Sequence, residues 1–317
     1  MDPTKPIVVF EHVSKSFGNR RILNDITFTL HDKEIFGLIG PSGAGKTTIL
    51  RTLIGFYPSD FGRVMYEGKQ VTDVSDLTRQ IGFATQDECF YEDLSCEENM
   101  KYFGTLYGIG KVDLDDRIKT LLGIVELENA RHLLGRQLSG GMRRRLDVAI
   151  ALLHSPKILI LDEPTSGLDP VLRKHMLALI ERIRDNGISI IITSHILEEL
   201  EQVCDNVAII FNGRFVALGT PADITKQYFP YDEIHLVTYP GDYQRIVESV
   251  RAQGVVIAAV SIEDHQVRIS TSEPERAVYA ILRSIAGMGE HLIDLDIMKP
   301  TLGEVFEKLE TEAPRAP

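Results

Sequence analysis

Residues 35–54 read IFGLIGPSGAGKTTILRTLI. An uninterrupted apolar run, Ile35 to Ile39, meets the turn Gly40-Pro41-Ser42-Gly43-Ala44-Gly45-Lys46-Thr47, and a helix follows whose Ile49, Leu50, Leu53 and Ile54 share one face. Strand, GxxxxGK[ST] loop and helix in this order form the setting in which such a loop cradles phosphates. Its glycines let backbone N–H groups converge on an anion, and the helix N-terminus adds partial positive charge. Lys46 is placed to neutralise the β and γ phosphates and Thr47 to ligate Mg²⁺. Gly40 to Thr48 are therefore the first candidate nucleotide-binding residues.

Working outward, Ile7 to Val13 is a β-branched apolar run, and Ile26, Phe28 and Leu30 alternate with Thr27 and Thr29, which predicts half-buried strands. The pattern turns helical from about Asp87 to residue 155. It predicts helices over Glu97–Tyr107 and Leu114–Leu122, and a third carrying Leu146, Ala149, Ile150 and Leu153. Alternation then resumes with a strand at Ile158–Leu161, a helix carrying Leu172, Met176, Leu179, Ile180 and Ile183, and a strand at Ile188–Thr193. Such βα alternation implies a mostly parallel sheet wrapped by helices. Asn212-Gly213 between two apolar runs predicts a hairpin.

Past Thr220-Pro221 the rhythm changes. Strand (Ile234–Thr238), helix (Tyr243–Arg251), strand (Val255–Ile262), strand (Gln266–Ser270), helix (Glu275–Ala286) and strand (Leu292–Met298) give the βαββαβ order of a ferredoxin-like unit. Asp294 and Asp296 alternate with Ile293, Leu295 and Ile297 and are expected on a solvated strand face. Thr301 and Glu304 form a capping-box pattern at a last helix whose Val305, Phe306 and Leu309 are expected to pack on a partner surface. The expected division is an α/β domain over 1–220, with a helical subdomain at about 87–155, and a small α+β domain over 221–317.

Composition bounds the function. The 317 residues carry a net charge of −12, which argues against a nucleic-acid partner, since such modules present a basic face. Cys89, Cys96 and Cys204 lack the close spacing of a zinc or redox motif and read as reduced thiols of a cytosolic protein. The polar start, Met1 to Pro6, lacks the apolar core of a secretory signal, and no run approaches the roughly 18 apolar residues of a membrane span. Any membrane role must come from a partner, and disorder is expected only at the Pro-containing ends.

A second strand end delivers chemistry. Ile158-Leu159-Ile160-Leu161-Asp162-Glu163 brings two carboxylates out of an apolar run, Asp162 suited to Mg²⁺ and Glu163 to a base that polarises an attacking water. Leu138-Ser139-Gly140-Gly141-Met142, read alone, is a helix N-cap. With the other motifs it resembles the signature of ABC ATPases. The resemblance covers about residues 7–220 and implies the P-loop NTPase fold of that family, ATP and Mg²⁺ as ligands, and ATP hydrolysis.

The resemblance further implies that Ser139, Gly140, Gly141 and Met142 contact the γ-phosphate held by an opposite subunit, in a homodimer or a heterodimer with a related ATPase. It implies that Gln86 senses Mg²⁺ and water and links the site to a membrane-spanning permease subunit. Asp169, in Ser166-Gly167-Leu168-Asp169, corresponds to the loop crossing the dimer interface, His195 to a histidine contacting the γ-phosphate, and Phe17 to the ring stacking on adenine. Two departures stand out: Phe17 replaces the more usual tyrosine, and Met142 replaces a polar residue, usually glutamine. The stretch Leu94 to Gly108 and the ending Pro300 to Leu309 are similar to ATPases of type-2 exporters of drugs, lipids, polysaccharides or sodium. A methionine-type importer ATPase with a regulatory tail is the alternative, and a soluble non-transport ABC ATPase a more distant one. The implied location is the cytoplasm, peripheral on the inner face of the cell membrane.

Overall fold

The computed structural model describes residues 5–72, 74, 77, 79–263 and 265–312; the expectations for the extreme ends concern positions 1–4 and 313–317 and lie outside them. Alternating burial along β1 (Pro6–Phe17) and β2 (Arg20–His31) pairs them antiparallel, and β4 (Phe61–Tyr66) and β5 (Lys69–Gln70) complete a sheet in the order β2-β1-β4-β5. Between them in sequence come β3 (Ile35–Ile39), buried at all five positions, and α1 (Lys46–Leu53), which turns Ile49, Leu50 and Leu53 inward. Phe10 stacks on Phe28 at 4.6 Å between ring centroids and Phe28 on Phe36 at 4.9 Å, so aromatic rings join the antiparallel sheet to β3.

The second sheet contains β3 and β6 (Ile81–Ala84), β7 (Ile158–Asp162), β8 (Ser189–Thr193), β9 (Asn206–Phe211) and β10 (Arg214–Gly219), in the order β10-β9-β3-β8-β7-β6. All its pairings are parallel except β9 with β10, the expected hairpin. Asn212 and Gly213 take φ of 48° and 74°, as a two-residue hairpin turn requires. Between β6 and β7 lie α2 (Cys96–Leu106), α3 (Lys111–Ile124) and α4 (Gly140–Leu152), in agreement with the helical reading. The helix α5 (Pro170–Asp185) joins β7 to β8, and α6 (Leu197–Val203), which the pattern did not predict, joins β8 to β9.

The contacts divide the chain between Thr220 and Pro221. The second unit holds α7 (Pro221–Tyr228), β11 (Asp232–Tyr239), α8 (Tyr243–Ala252), β12 (Ala259–Glu263), β13 (Gln266–Thr271), α9 (Pro274–Met288), β14 (His291–Met298) and α10 (Leu302–Glu312). Its antiparallel sheet runs β12-β13-β11-β14, with Ile234, Leu236, Val267 and Ile269 packed on Ile246, Val250, Ala277 and Ile281, which is the ferredoxin-like arrangement. Three expectations need correction. Residues 255–258 precede the paired strand, which starts only at Ala259. On β14, Asp294 and Asp296 are exposed as expected, but so are Ile293 and Ile297, and Leu295 is the apolar residue of that strand packed on the core. The last helix packs on α7 of its own unit. Thr301 and Glu304 do form their reciprocal cap.

Cys89, Cys96 and Cys204 are free thiols, and among the described residues no helix is long and apolar enough to cross a membrane. Ile160, in the middle of β7, is fully buried within the core shared by the two sheets. Ile160→Ala is expected to cost about 2–5 kcal/mol, read as a lowered urea midpoint with an unchanged slope.

Candidate functional site

Three strands end level with one another. In the parallel register Leu38 of β3 lies beside Thr193 of β8, and Thr193 beside Asp162 of β7, so Gly40, Asp162, Glu163 and Ser194 all leave the sheet at one edge. This is the carboxyl end of an open α/β sheet, where such folds bind ligands.

The glycine-rich loop is held from below. Gly45 has φ 116°, a value an L side chain rarely adopts, and this lets the chain turn into α1. The carbonyl of Ala44 accepts a hydrogen bond of 3.2 Å from Gly213 N–H, so the tip of the β9-β10 hairpin buttresses the loop from far along the chain. A Cβ at position 213 would lie 2.1 Å from the Ile22 carbonyl oxygen, so that turn admits glycine alone. Lys46 donates to the carbonyls of Gly40 (2.6 Å) and Pro41 (3.3 Å). Burial lowers its pKa from the usual lysine value, opposed by the charges of Glu163 and Asp162. A half-buried ammonium beside two carboxylates is therefore built into the mouth of the loop.

The carboxylates are fixed by a residue that the sequence reading left as the end of a strand. Thr193, fully buried, donates its hydroxyl to Asp162 Oδ1 at 2.5 Å, and Thr193 Oγ1 accepts from Glu163 N–H at 3.0 Å. The Thr193 carbonyl accepts from that N–H as well, at 3.1 Å. Glu163 sits at φ 55°, a left-handed conformation that costs a non-glycine residue on the order of 1–3 kcal/mol and persists where surroundings impose it. Its Oε2 accepts from His195 Nδ1 at 2.5 Å; the glutamate side chain is 14% exposed and the histidine 60%. Lys46, Asp162, Glu163 and His195 are thus gathered at one edge.

The other candidates are mostly exposed. Ser139 caps α4, its Oγ accepting from Met142 N–H at 3.4 Å, and Ser139 and Gly140 are exposed while Gly141 is buried. Asp169 caps α5 by accepting from the N–H groups of Val171 and Leu172. Gln86 is exposed just beyond β6. Phe17 is 43% exposed at the end of β1. Thr47 is exposed on the first turn of α1. Hydroxyl of Thr47, carboxylate of Asp162 and carboxamide of Gln86 make an oxygen-only donor set, which fits the hard cation Mg²⁺.

One face of α4 clasps the segment after Gln86. Arg144 donates to the Thr85 carbonyl (3.1 Å), Arg143 bridges Glu88 (3.0 Å) and Glu92 (3.2 Å), and Asp147 Oδ1 accepts from Cys89 N–H (3.1 Å). Among the described residues Asp147 Oδ2 is buried without a partner, and burial pushes this carboxyl up to about 7 against the pull of the Cys89 N–H and the Arg144 charge.

A strand, phosphate loop and helix meeting two strand-end carboxylates define a P-loop nucleoside triphosphatase. Comparison with known proteins narrows this. Residues 23–166 match the family described as ABC transporter. The chain is 32% identical over 302 residues to the linearmycin resistance ATP-binding protein LnrL of Bacillus subtilis (strain 168), covering 94% of this chain and 96% of that one. It is 34% identical over 298 residues to Nod factor export ATP-binding protein I of Rhizobium sp. (strain N33), covering 94% of each. A solved structure described as an ATP binding subunit of an ABC transporter superposes with a TM-score of 0.62 at 30% identity, over 70% of this chain and 93% of that one. The chain belongs to the ABC transporter family, as an ATP-binding subunit that hydrolyses ATP.

The buried carboxyl gives a pH prediction. With the folded pKa of Asp147 raised above its ordinary value, the native state binds the extra proton between about pH 4 and 7, so stability falls as pH rises through that window. Asp147→Asn keeps an acceptor for Cys89 N–H and removes the charge. Urea unfolding from pH 4 to 8 should show wild type losing about 2–4 kcal/mol relative to this variant, beyond a pH-independent offset.

Proposed function

We propose that the chain is the motor of an exporter, binding ATP and Mg²⁺ between two copies of the ATP-binding subunit and driving a separate membrane-spanning permease. The observation that carries the chemistry is the carboxylate of Glu163, held in a strained backbone by Thr193 and hydrogen-bonded to His195, beside the half-buried Lys46. Glu163 is the base: it accepts the proton of the water that attacks the γ-phosphorus as the bond to the β–γ bridging oxygen breaks, releasing ADP and phosphate. Lys46 and the backbone N–H groups of Gly40 and of Ser42 to Thr48 bind the phosphates, Pro41 shaping the turn between them without a donor of its own, and His195 orients Glu163 and reaches the γ-phosphate. Thr47, Asp162 and Gln86 would hold Mg²⁺, which when bound would supply charge neutralisation to the phosphoryl oxygens. Phe17 stacks on adenine, for which its exposed ring is suited.

Ser139, Gly140, Gly141 and Met142, with Asp169, serve the nucleotide of the opposite copy. Exposure of Ser139 and Gly140 at a helix N-terminus supports that role, because the N–H groups there favour an anion. Export is favoured by the relatives named for Nod factor export and linearmycin resistance. Docking of the permease is placed on the helical subdomain at about 87–155, where Tyr91, Tyr102 and Leu106 are 50%, 43% and 67% exposed. The chain then works at the cytoplasmic face of the membrane, with 1–220 as the ATPase domain and 221–317 as an accessory module that stabilises the dimer.

The test removes the base and keeps the shape. Glu163→Gln should lower ATP turnover on the order of 100-fold while ATP binding survives, a usual cost of losing a general base. ATP-Mg²⁺ should then accumulate as a closed dimer in size-exclusion chromatography with light scattering, and adding Ser139→Arg should dissolve it. Wild-type turnover in the Glu163→Gln protein would refute the base.

A further inference from the structure

We infer that Tyr57 is a positioning residue for the nucleobase, holding the Phe17 ring in place and tying it to the helix that carries the phosphate loop. This rests on the reading of Phe17 as the ring that stacks on adenine. An aromatic ring at an exposed strand end has several rotamers open to it, and a stacking platform works best when its orientation is set before the base arrives. Tyr57 meets Phe17 nearly perpendicular, with ring centroids 4.9 Å apart and planes at 78°. This is a favoured aromatic geometry.

Tyr57 is itself anchored to α1. Its N–H donates to the Arg51 carbonyl (3.2 Å), its hydroxyl accepts from Arg51 Nη1 (3.1 Å), and the guanidinium carbon of Arg51 lies 5.8 Å from the ring centroid. Arg51 is in the same eight-residue helix as Lys46 and Thr47. The next residues return to β1. Lys15 Nζ donates to the Pro58 carbonyl (2.7 Å) and to Asp60 Oδ1 (2.9 Å), Asp60 Oδ2 accepts from Ser16 N–H (2.6 Å), and Asp60 N–H donates to the Ser14 carbonyl (2.9 Å). The ammonium of Lys15 lies 5.6 Å from the centroid of the Phe17 ring. Base platform and phosphate loop are therefore the two ends of one linkage, Phe17 to Tyr57 to Arg51 to α1.

The test separates base from phosphates by titrating ATP and inorganic tripolyphosphate calorimetrically against the full-length wild type, Phe17→Ala, Tyr57→Ala, Tyr57→Phe and the Phe17→Ala/Tyr57→Ala double variant. Tyr57→Ala should weaken ATP roughly 3- to 10-fold, leave tripolyphosphate unchanged, and add nothing further in the Phe17→Ala background, since the two act as a unit. Tyr57→Phe, which keeps the ring, should stay within about 2-fold of wild type, as loss of an exposed hydroxyl contact is a small effect. Unchanged ATP affinity in Tyr57→Ala beside weakened affinity in Phe17→Ala would overturn the inference and leave the platform standing. Equal loss of tripolyphosphate binding, or full additivity with Phe17→Ala, would also overturn it. Unchanged ATP affinity in Phe17→Ala would instead remove the platform reading beneath it.

Discussion

The site depends on one constraint of sheet register: β8 lies between β3 and β7, and all three end at the same level. Given that, a threonine as the last residue of β8 is forced to stand between the phosphate loop and the two carboxylates. Its hydroxyl can donate once and accept, and both capacities are used, toward Asp162 and from Glu163 N–H. In a buried setting these bonds are strong and costly to leave unmade. They offset the strain of Glu163, whose left-handed backbone would otherwise relax and swing the carboxylate away from His195.

A second constraint acts on the loop itself. A phosphate-binding loop must keep its N–H groups pointed inward with no ligand to template them, so its carbonyls need partners on the outside. Ala44 finds one in Gly213, at the tip of a hairpin that is the last element of the ATPase fold. The loop therefore cannot be complete until β9 and β10 have added to the sheet beside β3. The glycine at 213 is as much a part of the site as those in the loop, although nothing in its local sequence says so.

This marks the line between what the sequence disclosed and what it did not. Strands, helices and the hairpin were legible because burial follows periods of two and about 3.6, and the loop and strand-end acids because their spacing is local. Thr193 and Gly213 were not, since a threonine closing an apolar strand looks like any β-branched residue and Asn-Gly like any turn. Their roles come from pairings across the sheet, which no window of sequence contains. The short α6 escaped because Leu197–Val203 is dominated by glutamates and too brief to show a periodic face. On β14 the alternation was real, but an edge strand leaves Ile293 and Ile297 exposed although they share a face with Leu295.

The clasp between α4 and residues 85–92 bears on how the proposed roles are joined. The N-terminus of α4 is the Ser139-Gly140-Gly141 turn, and the clasped segment begins one residue before Gln86 and ends among the exposed aromatics of the helical subdomain. Arg143, Arg144 and Asp147 lie within two turns of that helix and reach four residues of the segment, Thr85, Glu88, Cys89 and Glu92. Parting the two would strand Asp147 with neither oxygen paired and leave the Thr85 carbonyl without its guanidinium, a larger cost than shifting both together. The turn proposed for the opposite nucleotide and the segment proposed for the permease are therefore joined by these hydrogen bonds. On the proposed roles, α4 is the element through which a displacement at one end would reach the other, because parting its contacts costs more than shifting them together.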